Sequence, residues 1–270
     1  MTLINKQPSG GDHPCYVSVD KTGRWVAVGN YSGGNLSVIP VMVNGSLGVP
    51  NTVNHSGKSV DKGRQEKPHV HATVFSEDNK FLFVPDLGID KVMMYAFNPG
   101  SGKLTAQDSI VTEAGTGPRH FTFHPDNKFA YLVEELTAGI SAYEYKNDKF
   151  TFLQRIAALP ADYTGPKSGA DLHVSPDGKF LYSSNRGDAN SISIFSINEK
   201  TGKLTLKGHQ SSMGKTPRNF NFDPSGNFLL VANQNSDNIV IFKRDKDTGL
   251  LEDTGKRIEV GNPVCIKWVD

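Results

Sequence analysis

Two histidines, three arginines and several carboxylates stand in this sequence where they could act together on an anionic molecule. His69 and His71 are two residues apart, a spacing that puts both rings on one face of an extended strand. A neutral imidazole there can take a proton from water, and a pair could also ligate a metal. Arg119, Arg186 and Arg218 keep their charge at any working pH, and a guanidinium offers a fork that matches phosphate or carboxylate oxygens. His120 follows Arg119, while Asp86, Glu134, Glu135 and Asp171 supply carboxylates. Proton transfer combined with stabilisation of a developing negative charge is the chemistry such a set supports. No cysteine or carboxylate set of known metal-ligand spacing accompanies the histidine pair, so no metal site is expected.

What must position these residues is a five-fold repeat. An apolar strand, a polar turn and a second apolar strand ending in a polar residue recur around Gly23, Asn79, Asn127, Gly178 and Gly226, at intervals of 48 to 56 residues. A period near 50 suits a four-stranded propeller blade, and Gly, Asn, Asp and Ser at the corners supply the positive φ that tight turns need. In the third copy the strands are expected at residues 121–123, 129–133, 140–145 and 150–153. Helical periodicity is absent. The chain therefore reads as all-β, a β-propeller of four-stranded antiparallel blades in one domain spanning residues 1–270.

Aligning the copies on the turn separates scaffold from chemistry. Eight residues before it stand Cys15, His71, Arg119, Ala170 and Arg218, followed by Tyr16, Ala72, His120, Asp171 and Asn219. Seven residues after it come Asn30, Asp86, Glu134, Asn185 and Asn233, then Tyr31, Leu87, Glu135, Arg186 and Gln234. Adjacent strands of a blade run antiparallel, so these columns share one rim. The asparagines at strand ends read as turn caps bonded to nearby backbone. Asp86 could orient His71 or raise its basicity. The arginines could instead brace neighbouring blades through Glu134, Glu135, Asp86 or Asp171, and Glu135 reads equally as such a partner or as an acid/base group. Residues 54–67 form a polar loop leading into Pro68, and residues 162–168 a second one. Loops on a rigid scaffold often carry function, and Lys58, Lys62 and Arg64 could close over a phosphate.

Composition narrows the alternatives. Lys plus Arg number 29 against 28 Asp plus Glu, so no global field attracts nucleic acid or an anionic membrane. Cys15 and Cys265 are too few to staple a chain of 270 residues, and no apolar run is long enough for a membrane-spanning helix. Residues 1–3 match an outermost strand and residues 262–268 an innermost one. Five complete blades are thus expected between two orphan strands, as in a fragment of a longer protein or a mis-started reading frame. Oligomeric state leaves no mark on the sequence.

The motifs Pro68-His69-Val70-His71, Val84-Pro85-Asp86-Leu87-Gly88, Gly117-Pro118-Arg119-His120, Glu134-Glu135-Leu136 and Ser184-Asn185-Arg186-Gly187 occur together with Ala170-Asp171-Leu172-His173. In this the chain resembles the lactonase family of seven-bladed propellers, of the 6-phosphogluconolactonase type related to the fungal carboxymuconate cycloisomerase. The resemblance implies one further blade and closing strands before the point matching Met1. It places His71, Arg119, Glu135 and Arg186 on the positions proposed as the active site of the cycloisomerase branch, and Arg64-Gln65 on a loop over the channel mouth. Glu134 departs from the asparagine common in relatives.

The reading that follows is a lactonase opening a sugar lactone, with 6-phosphoglucono-δ-lactone implied by the resemblance. His71, Arg119, Glu135 and Arg186 would be catalytic, with His69, Asp86, His120, Asp171, Arg218 and Arg64 contacting substrate. No cofactor is implied, because ester hydrolysis needs neither redox nor carrier chemistry. A carboxymuconate-type cycloisomerase and a non-catalytic, ligand- or protein-binding propeller are the alternatives. A cytoplasmic location follows from the phosphorylated substrate, although a signal peptide could precede Met1.

Overall fold

The computed structural model describes residues 2–269. It contains five four-stranded antiparallel sheets whose strand order follows the chain. The first holds β1 (Pro14–Val19), β2 (Trp25–Asn30), β3 (Asn35–Pro40) and β4 (Asn51–Asn54). The second holds β5 (Val74–Phe75), β6 (Phe81–Asp86), β7 (Lys91–Asn98) and β8 (Lys103–Val111). The third holds β9 (Pro118–Phe123), β10 (Phe129–Glu134), β11 (Gly139–Lys146) and β12 (Lys149–Ala157). The fourth holds β13 (Gly169–Val174), β14 (Phe180–Asn185), β15 (Ser191–Ile197) and β16 (Leu204–Ser211). The fifth holds β17 (Pro217–Phe222), β18 (Phe228–Asn233), β19 (Asn238–Arg244) and β20 (Leu251–Glu259). No helix among the described residues is long and apolar enough to cross a membrane.

The turns form where the repeat puts them. Gly23, Asn79, Asn127, Gly178 and Gly226 all adopt positive φ, between 58° and 74°. Each donates its N–H back to the residue three earlier, from Gly23 to the Asp20 carbonyl through Gly226 to that of Asp223. In four copies the side chain of that earlier residue also accepts the N–H that opens the next strand: Asp20 from Trp25, Ser76 from Phe81, Ser175 from Phe180 and Asp223 from Phe228. A single short polar side chain thus satisfies the backbone on both sides of the corner.

The chain packs as two compact units that divide between Phe121 and Thr122. In the first, alternate residues of the first two sheets bury a core of Ala27, Leu36, Val38, Leu82, Val84 and Tyr95 with Val70 and Phe97. In the second, Tyr131, Val133, Leu172 and Phe195 join the third sheet to the fourth, and Tyr182, Phe220, Val231 and Phe242 join the fourth to the fifth. Buried tyrosines avoid stranding their hydroxyls: Tyr131 donates to the Gly202 carbonyl and Tyr182 to that of Gly249.

The terminal stretches differ from expectation. Met1 lies outside the described residues, and residues 2–9 form no ladder. The expected innermost strand at residues 262–268 is irregular and is held along β17 mainly by side chains. Asn219 accepts the Ile266 N–H, Asn221 donates to the Ile266 carbonyl, and the Trp268 indole donates to Phe222. Side-chain amides therefore take the place of a backbone ladder.

Two stability outcomes follow. A Cβ at Gly23 meets nothing within 4 Å, whereas one at Gly178 would lie 2.7 Å from His124 Nε2, on a ring fixed by Asp126 and by the Gly178 carbonyl. Both alanine variants carry the left-handed backbone cost of roughly 1–2 kcal/mol. Gly178→Ala should be the more destabilising in urea denaturation by about 1 kcal/mol, the worth of the displaced hydrogen bond. Asp177 supplies the second. Burial would raise its carboxyl, but Arg244, Ser175 and the Lys179 N–H outweigh burial and hold it at about 2, against 3.8 ordinarily. The stability it contributes is present above pH 3.8 and is lost as the pH falls through that window towards 2. The difference in melting temperature between the wild type and Asp177→Asn should shrink over that window and be flat above it.

Candidate active site

Each unit holds its own group of the expected residues. In the first unit the chain leading into the second sheet runs beside the end of β6. His71 donates its N–H to the Pro85 carbonyl, and Leu87 donates to that of His69. This extended backbone aligns the two imidazoles, leaving His71 4% and His69 6% exposed. Tyr31, just after β2, meets both rings: it stacks on His69 at 4.5 Å and 21° and packs edgewise on His71 at 5.4 Å. On its other side His71 packs against His120 at 5.4 Å, and His120 Nε2 lies 3.2 Å from Nη1 of the buried Arg119. A continuous line of contacts thus runs from Arg119 through His120, His71 and Tyr31 to His69. Cys15 flanks it, its Sγ 3.9 Å from His71 Nδ1, and Tyr16 packs edgewise on His120 at 5.2 Å.

Asp86 has another role than the one expected. It is fully buried, and it does not orient His71. Its Oδ1 accepts the N–H of His69 (2.7 Å) and of Gly88 (2.9 Å), and its Oδ2 accepts from His55 Nδ1 at 2.7 Å. A carboxylate so enclosed serves the backbone and His55. His55 Nε2 lies in hydrogen-bond contact, 2.9 Å, with the Tyr95 hydroxyl. Burial and then the Asp86 charge push the Tyr95 hydroxyl up to about 12, so the phenol keeps its proton at neutral pH.

This Tyr95–His55–Asp86 line fastens the start of the loop at residues 54–67. Its far end is fastened by the buried Gln65, whose side chain donates to the Leu87 carbonyl and accepts the Asp61 N–H. Its middle is held by Ser59, whose hydroxyl donates to Asp90. Asp90 in turn accepts the N–H groups of Gly115 and Gly117, which fixes the approach to Arg119. The loop is therefore an anchored strap. The strap exposes Lys58, Lys62 and Arg64, and Arg64 Nη2 donates to the Tyr31 hydroxyl at 3.1 Å.

In the second unit Glu135 and Arg186 come together, with Nη2 3.1 Å from Oε2, and Arg186 also donates to the Gly169 carbonyl. Glu134 belongs to the scaffold. Arg155 grips it through Nε and Nη2 at 2.8 to 3.0 Å, and Thr137 and Ser141 add hydroxyls. This bidentate partner on β12 compensates the buried charge of Glu134. Asp171 stitches the fourth sheet to the fifth. Its Oδ2 accepts from Asn219 Nδ2 at 2.6 Å and from the Phe220 N–H, and contacts His173. Arg218 is half-buried beside Asn219, and Tyr163 folds the loop at residues 162–168 by donating to the Pro166 carbonyl. Among the described residues no group of three or more His, Cys, Asp or Glu side chains is placed to hold a metal ion.

His55, Tyr95 and Asp90 were invisible to the column argument. The strap occurs in one copy of the repeat only, so aligning copies exposes nothing in it. The available signal was the single histidine at the start of a loop otherwise lacking buried types. Tyr95→Phe should leave the buried Nε2 of His55 without its hydroxyl partner and cost about 1–3 kcal/mol in chemical denaturation.

Comparison with known proteins bears on this arrangement. The family model described as Lactonase, 7-bladed beta-propeller matches residues 1–268. A 6-phosphogluconolactonase of Formosa agariphila is 43% identical over 257 residues, which are 93% of this chain and 72% of that protein. The 6-phosphogluconolactonase of Bacillus subtilis is 39% identical over 272 residues, covering 100% of this chain and 77% of its own length. Among solved structures, the periplasmic gluconolactonase of Pseudomonas aeruginosa superposes with a TM-score of 0.89 at 38% identity, over 96% of this chain and 74% of that one.

Proposed function

Because the chain belongs to the lactonase family of seven-bladed β-propellers, we propose that it hydrolyses a sugar lactone, 6-phosphoglucono-δ-lactone, to the open hydroxy acid. The observation that carries the assignment of residues is the line of contacts from Arg119 to His69, which sets a base beside a fixed cation. The family model runs through both compact units, which supports reading residues 1–270 as one catalytic domain.

In this reading His71 accepts a proton from water as the water oxygen attacks the lactone carbonyl. Arg119 stabilises the negative charge that develops on the carbonyl oxygen. The ring C–O bond then breaks, and the departing alkoxide takes the proton back, with His120 within reach of that transfer. One water is consumed and one carboxylic acid is formed. Arg64 on the strap is the proposed contact for the phosphate. Arg186, steadied by Glu135, is proposed as a second anion contact, and Arg218 as a third. A phosphorylated substrate carries too much charge to cross a bilayer unaided, which supports a cytoplasmic site of action.

Purified protein should open 6-phosphoglucono-δ-lactone. His71→Gln and Arg119→Met should each lose about 100-fold or more in kcat/KM while keeping the wild-type far-ultraviolet circular dichroism. Full activity in both variants would sink the assignment. Turnover in heavy water should leave no deuterium on carbon, which separates hydrolysis from cycloisomerisation.

A further inference from the structure

The contacts around His69 set an acceptor oxygen against each ring nitrogen. Nδ1 lies 3.1 Å from the backbone carbonyl of Tyr31, which can only accept. Nε2 lies 3.3 and 3.4 Å from the two carboxylate oxygens of Glu66. A bond with its own N–H, then the contact with His69, holds the Glu66 carboxyl below its ordinary range, so it too faces the ring as an acceptor. A neutral imidazole has one donor and one acceptor nitrogen and would set a lone pair against one of these oxygens. Only a ring with both nitrogens protonated satisfies both sides. The face of that ring lies on Tyr31 at 4.5 Å, the arrangement in which an aromatic ring attracts a cation. The other charged or titratable groups nearby are Asp86, which accepts the His69 backbone N–H, Lys67, which donates to the Ser32 carbonyl, and Arg64 and His71, which meet Tyr31.

We propose that His69 is held as an imidazolium, and that it acts as a positioning residue latching the end of the strap to Tyr31. Glu66 belongs to the strap and Tyr31 to the turn after β2, so the ring ties together two segments far apart in sequence. It leaves proton abstraction to His71 alone, since a ring already carrying both protons cannot act as a base. It also keeps Arg64, two residues before Glu66, at the Tyr31 hydroxyl. The consequence for substrate rests on the lactonase reading: the latch sets how the strap meets an anionic lactone and therefore acts on KM.

The test has two readouts. The first is the nitrogen-15 spectrum of the histidine rings in the ligand-free protein at about pH 7, with His69 assigned by its loss in His69→Gln. Both His69 ring nitrogens should show protonated shifts, and Glu66→Gln should convert the ring to a neutral tautomer. A neutral ring in the wild type overturns the proposal. The second is the KM for 6-phosphoglucono-δ-lactone in Glu66→Gln, which should rise about two- to fivefold, the range of a partly exposed ion pair, with kcat within about twofold. An unchanged KM, or a loss confined to kcat, overturns the positioning role. The spectrum needs no substrate, so an inactive wild type would count against the lactonase reading and leave the protonation result standing.

Discussion

Five residues at equivalent strand ends, Asn30, Asp86, Glu134, Asn185 and Asn233, are all polar and all fully buried. A polar side chain sealed from water must find partners within the protein or forfeit part of its solvation free energy; the amide nitrogens and carboxylates of this column are partnered, whereas Oδ1 of Asn30, Asn185 and Asn233 accepts no hydrogen bond. Asn30 donates to Ser9 and Asn35, Asn185 to Ser191 and Ser193, and Asn233 to Ser212 and Asn238. Where the column carries charge, a cation or a further donor has been recruited. Glu134 has Arg155 from the outermost strand of its own sheet, and Asp86 has His55 from the strap. The second of these solutions binds scaffold to site, because the carboxylate that needs His55 also holds the backbone N–H of His69.

The consequences differ between the two units. In the first, a scaffold carboxylate, an anchored strap and a row of aromatic rings converge on a short extended segment, and the imidazoles of that segment face different partners. His69 is surrounded by acceptors, whereas His71 is surrounded by rings and a thiol. Two chemically identical side chains two residues apart are thereby given different work. In the second unit the carboxylates mostly neutralise or stitch. Glu134 is held by Arg155, Asp171 accepts from Asn219, and Glu135 pairs with Arg186.

Much of this was legible in the sequence because a repeat is its own alignment. The five turn residues mark the corners, and β10 to β12 begin and end within a few residues of the positions read from residues 129–153. The asparagine column departs from the turn-cap expectation, because its amides reach side chains a few residues on and carbonyls about 21 residues back instead of the adjacent turn backbone. What could not be read is what occurs once. The strap interrupts the repeat in one copy, and β5 shrinks to two residues there because the chain before it is committed to the strap and to Asp86. Periodicity gives no purchase on such a segment. Its anchors, His55, Gln65 and Asp90, are buried polar residues whose partners are distant in sequence. Nor does pattern alone show that Asp86 holds the backbone of the histidine segment or that Asp171 bonds from one sheet to the next.

The strand order within each sheet has a bearing on how the chain acquires its structure. Every strand pairs with its immediate neighbours in sequence, and the corners between strands close through hydrogen bonds spanning only a few residues. Residues 169–211 suffice to assemble the whole fourth sheet without any remote segment. Local closure of this kind lowers the entropy of the search relative to sheets whose strands are gathered from across the sequence. The strands of one sheet can therefore meet through local closure alone, but the apolar face they form is buried only when the next sheet arrives, as the fourth sheet's face is by the fifth.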